Sequence, residues 1–346
     1  MPQRIFQKIK DKLKKYKKPN KRLFVYLYTA VGLVVFLLAL ISFLYFNQPP
    51  ESLYIFPKNP KQGDTVFIRV KTNLGNVTGS FEKSLGDKSL DNTKDREELF
   101  FYKKPNSSEW ISFLGIDADQ APGDYKISVD VPVLNNFVEN IKVSPADFSS
   151  APAATAPSAQ KTGITVQKAV NNIVTTDGPA LKKILGISTP DPYFNASFSF
   201  PLSKIEKVGF SFGKFINFSK DRLQHFGVDL LALKKTNVYA VNSGKIVATF
   251  DLPNYGKTVI IDHGLDIFSL YLHLEEFKVI TGDIVKNGQI IGLSGDTGYV
   301  TAPHLHFSMR VGGSRVDPIG FIEVSKKINE NQFLASISEA FKNIFK

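Results

Sequence analysis

A chain of 346 residues has room for two ordinary domains and their connections, and a hydrophobic share of 43% excludes global disorder. The absence of cysteine excludes disulfides, thiolate zinc fingers, cysteine nucleophiles and iron–sulfur clusters. The formal charge of +11 is local: ten Lys/Arg and a single acid, Asp11, fall within residues 1–22, so the rest is near neutral and a nucleic-acid partner is not expected.

No residue from Leu23 to Pro50 is charged, and Leu23–Phe46 is apolar almost throughout. As a helix rising ~1.5 Å per residue it would span about 36 Å, enough for a hydrocarbon core of about 30 Å. Tyr26, Tyr28 and Tyr45 lie near its ends, where interfacial aromatics prefer to sit. The basic flank predicts a cytoplasmic tail over 1–22, a transmembrane helix over 23–46 and later domains outside the cytoplasm, as in a single-pass cell-membrane protein. A cleavable signal peptide fits less well, because the run is too long and ends in Tyr-Phe-Asn-Gln-Pro-Pro.

Residues 50–145 predict a small β-sandwich of immunoglobulin-like kind: Thr65–Val70, Leu99–Lys104, Trp110–Ile116 and Tyr125–Val131 are β-rich and separated by Gly/Asn/Pro turns. It contains no histidine and reads as a spacer or protein-contact module. Residues 146–162, rich in Ala, Ser and Pro, predict an extended linker. A connecting segment follows over 163–196, with a short helix at Pro179–Leu185. From residue 197 to 321 glycine-punctuated strands predict a second all-β domain. The tail 322–346 carries Phe333, Leu334, Ile337, Phe341 and Ile344 at an amphipathic helical period.

All five histidines, His225, His263, His273, His304 and His306, fall in that second β-domain. In the strand-like run His304-Leu305-His306 the two imidazoles share one face while Leu305 and Phe307 turn the other way. His225 and Asp229, four apart, share a face in a strand or in a helix, and Gly227 favours the extended option. Two imidazoles and a carboxylate form a typical catalytic zinc set with a position left for water. The surplus histidines are the groups a hydrolase needs to move protons and stabilise an oxyanion. Neither HExxH nor a GxSxG elbow is present.

The order of short motifs is more specific than any one of them. His225-Phe-Gly-Val-Asp229, Val238-Tyr-Ala240, Asn254-Tyr-Gly256, Ile261-Asp-His-Gly264, Tyr271-Leu-His-Leu274, Gly282-Asp-Ile-Val285, Gly288-Gln-Ile-Ile-Gly292 and Thr301-Ala-Pro-His-Leu-His-Phe307 follow one another as in the lysostaphin/LytM family of peptidoglycan endopeptidases. The resemblance covers about a third of the chain. It implies a compact antiparallel β-domain of the duplicated hybrid motif or barrel-sandwich type, in a chain that is mainly β. It implies Zn²⁺ bound by His225, Asp229 and His306, with His273 and His304 assisting catalysis. The implied reaction is hydrolysis of peptide bonds in wall stems or cross-bridges. His263, beside Gly264, reads as a structural hydrogen-bonding residue. Departures occur at Phe212-Gly-Lys, which lacks the arginine often found there, and at Leu230–Asn237. The competing readings are a catalytically silent regulator of other wall hydrolases, which would lack zinc ligands, and a carrier domain, whose displayed lysine hairpin is missing.

Overall fold

The computed structural model describes residues 26, 28–37, 52–73, 75–84, 96–131, 135–152, 163–187, 189–194, 196–218 and 221–326. The chain forms two units, Met1–Pro50 and Glu51–Lys346. In the first, residues 26 and 28–37 are helical and exposed. Among the described residues no helix is long and apolar enough to cross a membrane. The basic tail 1–22 and the remainder of the span expected at 23–46 lie outside the described residues.

The second unit opens with eight strands: β1 (Ser52–Phe56), β2 (Thr65–Lys71), β3 (Thr78–Lys83), β4 (Arg96–Leu99), β5 (Tyr102–Lys103), β6 (Glu109–Gly115), β7 (Gly123–Val131) and β8 (Asn135–Val143). They pair as two four-stranded sheets, β1-β2-β6-β5 and β4-β3-β7-β8. In β7 the alternation Tyr125, Ile127, Val129, Val131 points into the core between them. β2 and β6 behave differently, because Val66, Phe67 and Ile68 are all buried, as are Trp110–Gly115. One face of this sheet fills the sandwich. The other presents Phe67, Ile111 and Phe113 to the core of the C-terminal domain, where Phe113 meets Phe321 with ring centroids 5.9 Å apart.

Residues 146–162 are only partly the extended linker expected. β9 (Ser150–Pro152) pairs in parallel with β10 (Phe215–Phe218), which pairs antiparallel with β11 (Asp221–Gln224). Phe148 explains the anchorage, since it packs against Phe212 and Phe215 at centroid distances of 6.1 and 6.4 Å. Residues 153–162 lie outside the described set. The following segment is helical: α1 (Val166–Asn172), capped by the Thr165 hydroxyl, runs through a wide turn at Ile173–Asp177 into α2 (Gly178–Leu185).

The C-terminal domain contains β12 (Val228–Leu231), β13 (Asn237–Tyr239), β14 (Gly244–Leu252), β15 (Gly256–Asp262), β16 (Ile267–Phe277), β17 (Ile284–Val285), β18 (Ile290–Ser294), β19 (His304–Val311) and β20 (Ser314–Val316). Its central sheet has the order β12-β19-β16-β15-β14-β17. Leu305, Phe307, Met309 and Val311 turn one face of β19 into the core. On the opposite face of the sheet, Ala248, Ile260, Phe268, Leu270 and Leu272 form an apolar floor, and Leu181 of α2 packs onto it. A last helix, α3 (318–326), seats Phe321 and Ile322 in the core; of the tail expected at 322–346, residues 327–346 lie outside the described set.

Candidate metal centre

Asp229 and His306 are direct cross-strand partners between β12 and β19, so their side chains share a face at close range. His225 reaches the same point from the turn between β11 and β12. Gly227 makes this approach feasible: a Cβ there would lie 2.5 Å from both His306 Nε2 and Ser308 Oγ.

Hydrogen bonds on the far side of each ring fix which nitrogen faces inward. His225 Nδ1 lies 3.1 Å from the Ser211 carbonyl oxygen, to which only an N–H can bond, so Nε2 presents a lone pair. Ser308 Oγ donates to the Phe226 carbonyl at 2.7 Å and therefore accepts from His306 Nε2–H at 2.9 Å, which leaves Nδ1 as the lone pair. His225 Nε2, His306 Nδ1 and Asp229 Oδ1 then stand 2.9 Å from one another. Three acceptors at that range repel unless a cation lies among them. Ligands about 2.0–2.1 Å from a tetrahedral ion are roughly 3.3 Å apart, so a metal ion fits after an opening of a few tenths of an ångström.

Charges respond accordingly. Burial raises the Asp229 carboxyl, but His225 and His306 hold it well below the usual range. Burial lowers His306 to about 4 against the pull of Asp229, while for His225 the Asp229 carboxylate outweighs burial and the shift is upward.

His273 and His304 border this cluster. The Ala302 carbonyl, 2.8 Å from His304 Nδ1, fixes that nitrogen as the donor, and His304 Nε2 lies 3.6 Å from Asp229 Oδ1. His273 Nδ1 likewise bonds the Thr297 carbonyl at 2.9 Å. Its backbone is left-handed, with φ 63°, at an irregularity in the β15–β16 register. Such a bulge re-aims a side chain. Here it brings the ring to 5.0 Å from that of His304 and 5.9 Å from that of His306, centroid to centroid. Burial keeps His273 neutral, well below the ordinary histidine range. His263 lies apart, fully buried between the Ser243 carbonyl at 2.8 Å and Ser269 Oγ at 2.7 Å.

The centre opens into a cleft of about 580 Å³. Several of its residues carried no functional expectation from sequence. Ala169, Ile173 and Leu181 of the helical segment line it, as do Ser308 and Arg310. Asn254 holds the segment in place: its Nδ2 donates to the Ala169 carbonyl at 2.6 Å, its Oδ1 accepts from Asn172 at 3.2 Å, and its N–H donates to Asp177 at 3.0 Å. Ser308 and Arg310 were detectable in principle, because they continue the period-two face of His304 and His306.

Residues 223–318 match the model of Peptidase family M23. Over 119 residues the chain is 36% identical to the peptidoglycan DD-endopeptidase ShyB of Vibrio cholerae, covering 33% of this chain and 28% of that protein. Over 106 residues it is 42% identical to lysostaphin of Staphylococcus simulans, covering 29% and 21%. The chain thus spans about a quarter of the length of these curated relatives. A Pseudomonas aeruginosa chain crystallised as an M23 peptidase candidate superimposes with a TM-score of 0.54 at 21% identity, covering 78% of this chain and 96% of that one, a likeness of fold. The C-terminal part of the chain therefore carries a peptidase M23 domain.

Proposed function

We propose that the M23 domain is a zinc endopeptidase that hydrolyses peptide bonds in peptidoglycan stems or cross-bridges. The observation that carries this reading is the convergence of His225 Nε2, His306 Nδ1 and Asp229 Oδ1, each imidazole locked in the tautomer that offers a lone pair. Its relatives ShyB and lysostaphin supply the substrate class by similarity. His225, Asp229 and His306 would hold the zinc ion, which would supply Lewis acidity and lower the pKa of a bound water to about 7.

The remaining chemistry belongs to the chain. His273 and His304 each bond a carbonyl through Nδ1–H, so each turns an Nε2 lone pair into the cleft. One accepts the proton released as water attacks the scissile carbonyl and hands it to the leaving amine as the C–N bond breaks; the other, protonated at Nε2 from solvent beforehand, hydrogen-bonds the oxyanion. The geometry of His273, with Nδ1–H on the Thr297 carbonyl and Nε2 turned to the cleft, suits it to the acceptor role. The anchor expected at 23–46 and the cytoplasmic tail 1–22 belong to the same proposal, supported by the basic flank and the uncharged run. They would carry the domain outside the cytoplasm, where peptidoglycan lies.

Two variants test the roles. Asp229→Ala is expected to lose metal and hydrolysis together. His273→Ala is expected to keep stoichiometric zinc while turnover falls by about 10²–10⁴. Elemental analysis beside peptide release decides, and full turnover in His273→Ala would remove that residue from the mechanism.

A further inference from the structure

Arg310 has no role in the reading above, yet it stands in the same cleft. It lies on β19 four residues beyond His306, on the face that carries His304, His306 and Ser308, roughly 13 Å along an extended strand. An extended peptide covers that distance in about four residues.

The guanidinium is half-buried and little used. Its Nη1 donates to the Met309 carbonyl at 2.9 Å, and no carboxylate among the described residues forms an ion pair with it. Asp117, an acid close enough to influence it, is already committed to Arg315, whose backbone N–H and Nε bond that carboxylate at 2.8 and 3.0 Å. The surroundings are apolar. Phe268 is its cross-strand neighbour on β16, Leu270 pairs with Ser308, and Leu181 covers both. Burial there pushes the guanidinium down to about 10. A charge in such a place is costly unless something pairs it, and it is weakly screened when something does.

The cleft's other ionisable side chains leave the pairing to a ligand. Apart from histidines and tyrosines, the ionisable lining among the described residues is Arg222, Asp229 and Arg310, and Asp229 is spent on the histidine cluster. The cleft is therefore cationic, more so with a divalent ion in place. A guanidinium fork matches a carboxylate through two parallel N–H···O bonds.

We propose that Arg310 is a specificity-determining residue that binds a free carboxylate of the substrate peptide about two to four residues from the bond cleaved. The cleft then selects stem-type peptides, which carry side-chain or terminal carboxylates, over uncharged runs such as glycine bridges. This rests on the peptidase reading and narrows its substrate.

The test uses the full chain in neutral detergent with purified wall peptide fragments, either native or with their carboxylates amidated by carbodiimide coupling. Native fragments are expected to show a kcat/KM about ten- to a hundred-fold higher, the worth of one charge-assisted pair. Arg310→Gln should bring that ratio to within about two-fold of one. Arg310→Lys, which keeps the charge and loses the fork, should lower it part of the way and serves if the glutamine variant does not fold. Calorimetric binding of both fragment sets to chelator-treated protein should give the same contrast without turnover. A wild-type ratio near one, or an unchanged ratio in both variants, overturns the proposal. If neither set is cleaved, the peptidase reading fails, and the binding contrast alone decides the role of Arg310.

Discussion

Ser308 touches no metal-binding atom in the cluster, yet it fixes the His306 tautomer by accepting from Nε2–H while donating to Phe226. Removing such an outer partner typically weakens metal binding about 10–100-fold. Ser308→Ala is expected to do so in a chelator competition, with the melting profile little changed; unaltered affinity would mean that the tautomer is fixed by other means. The histidines were legible in the sequence because strand periodicity alone puts His304 and His306 on one face. The meeting of His225 with them was less so, since it depends on Gly227 lying against β19, a contact across about 80 residues of chain. Ser308 and Arg310 obey the same period as the two histidines, but a lone serine or arginine on a strand reads as an ordinary solvated face.

The stretch 163–185 illustrates how an element is hidden when its partner is remote. Pro179–Leu185 reads as a helix from composition, and α2 stands there. That Leu181 would lie on the floor made by Ala248, Ile260 and Leu270 follows from no local pattern. The attachment hinges on Asn254, which makes three hydrogen bonds to α1 and the following turn. Asn254→Ala removes the two side-chain bonds, so the Asn172 amide loses its Asn254 acceptor and the Ala169 carbonyl keeps only the Ile173 N–H. The expected loss is about 1–3 kcal/mol in denaturant unfolding, with faster amide exchange across 166–185. Unchanged exchange there would show that packing by Leu181 alone holds the segment.

For the whole of residues 51–346, the sandwich and the M23 domain share a core through Phe67, Ile111 and Phe113. The signal was present in Val66-Phe67-Ile68 of β2, where three consecutive apolar residues put hydrophobic side chains on both faces of the strand. At the same junction Arg315 bonds Asp117 and stacks over Phe226, 4.1 Å from guanidinium carbon to ring centroid, next to His225 in sequence. Glu97 sits nearby, raised to about 7 by burial and by Asp117 and Asp266. Its folded pKa exceeds the unfolded value near 4.5, so its contribution is full at low pH and is lost as pH rises from about 4.5 through 7. Glu97→Gln should therefore melt about 2–5 °C higher than the parent at pH 8 and at the parent's temperature at pH 4. A gain at pH 4 as large as that at pH 8 would contradict the assignment.

The proposed function depends on a zinc ion held by His225, Asp229 and His306. Zinc content of the full chain, measured with peptide release from purified peptidoglycan before and after chelation, tests it most directly. One zinc per chain is expected, with release that chelator abolishes and added zinc restores. A folded chain without zinc, or release indifferent to the chelator, would contradict it; the former would favour a silent regulator built on the same domain.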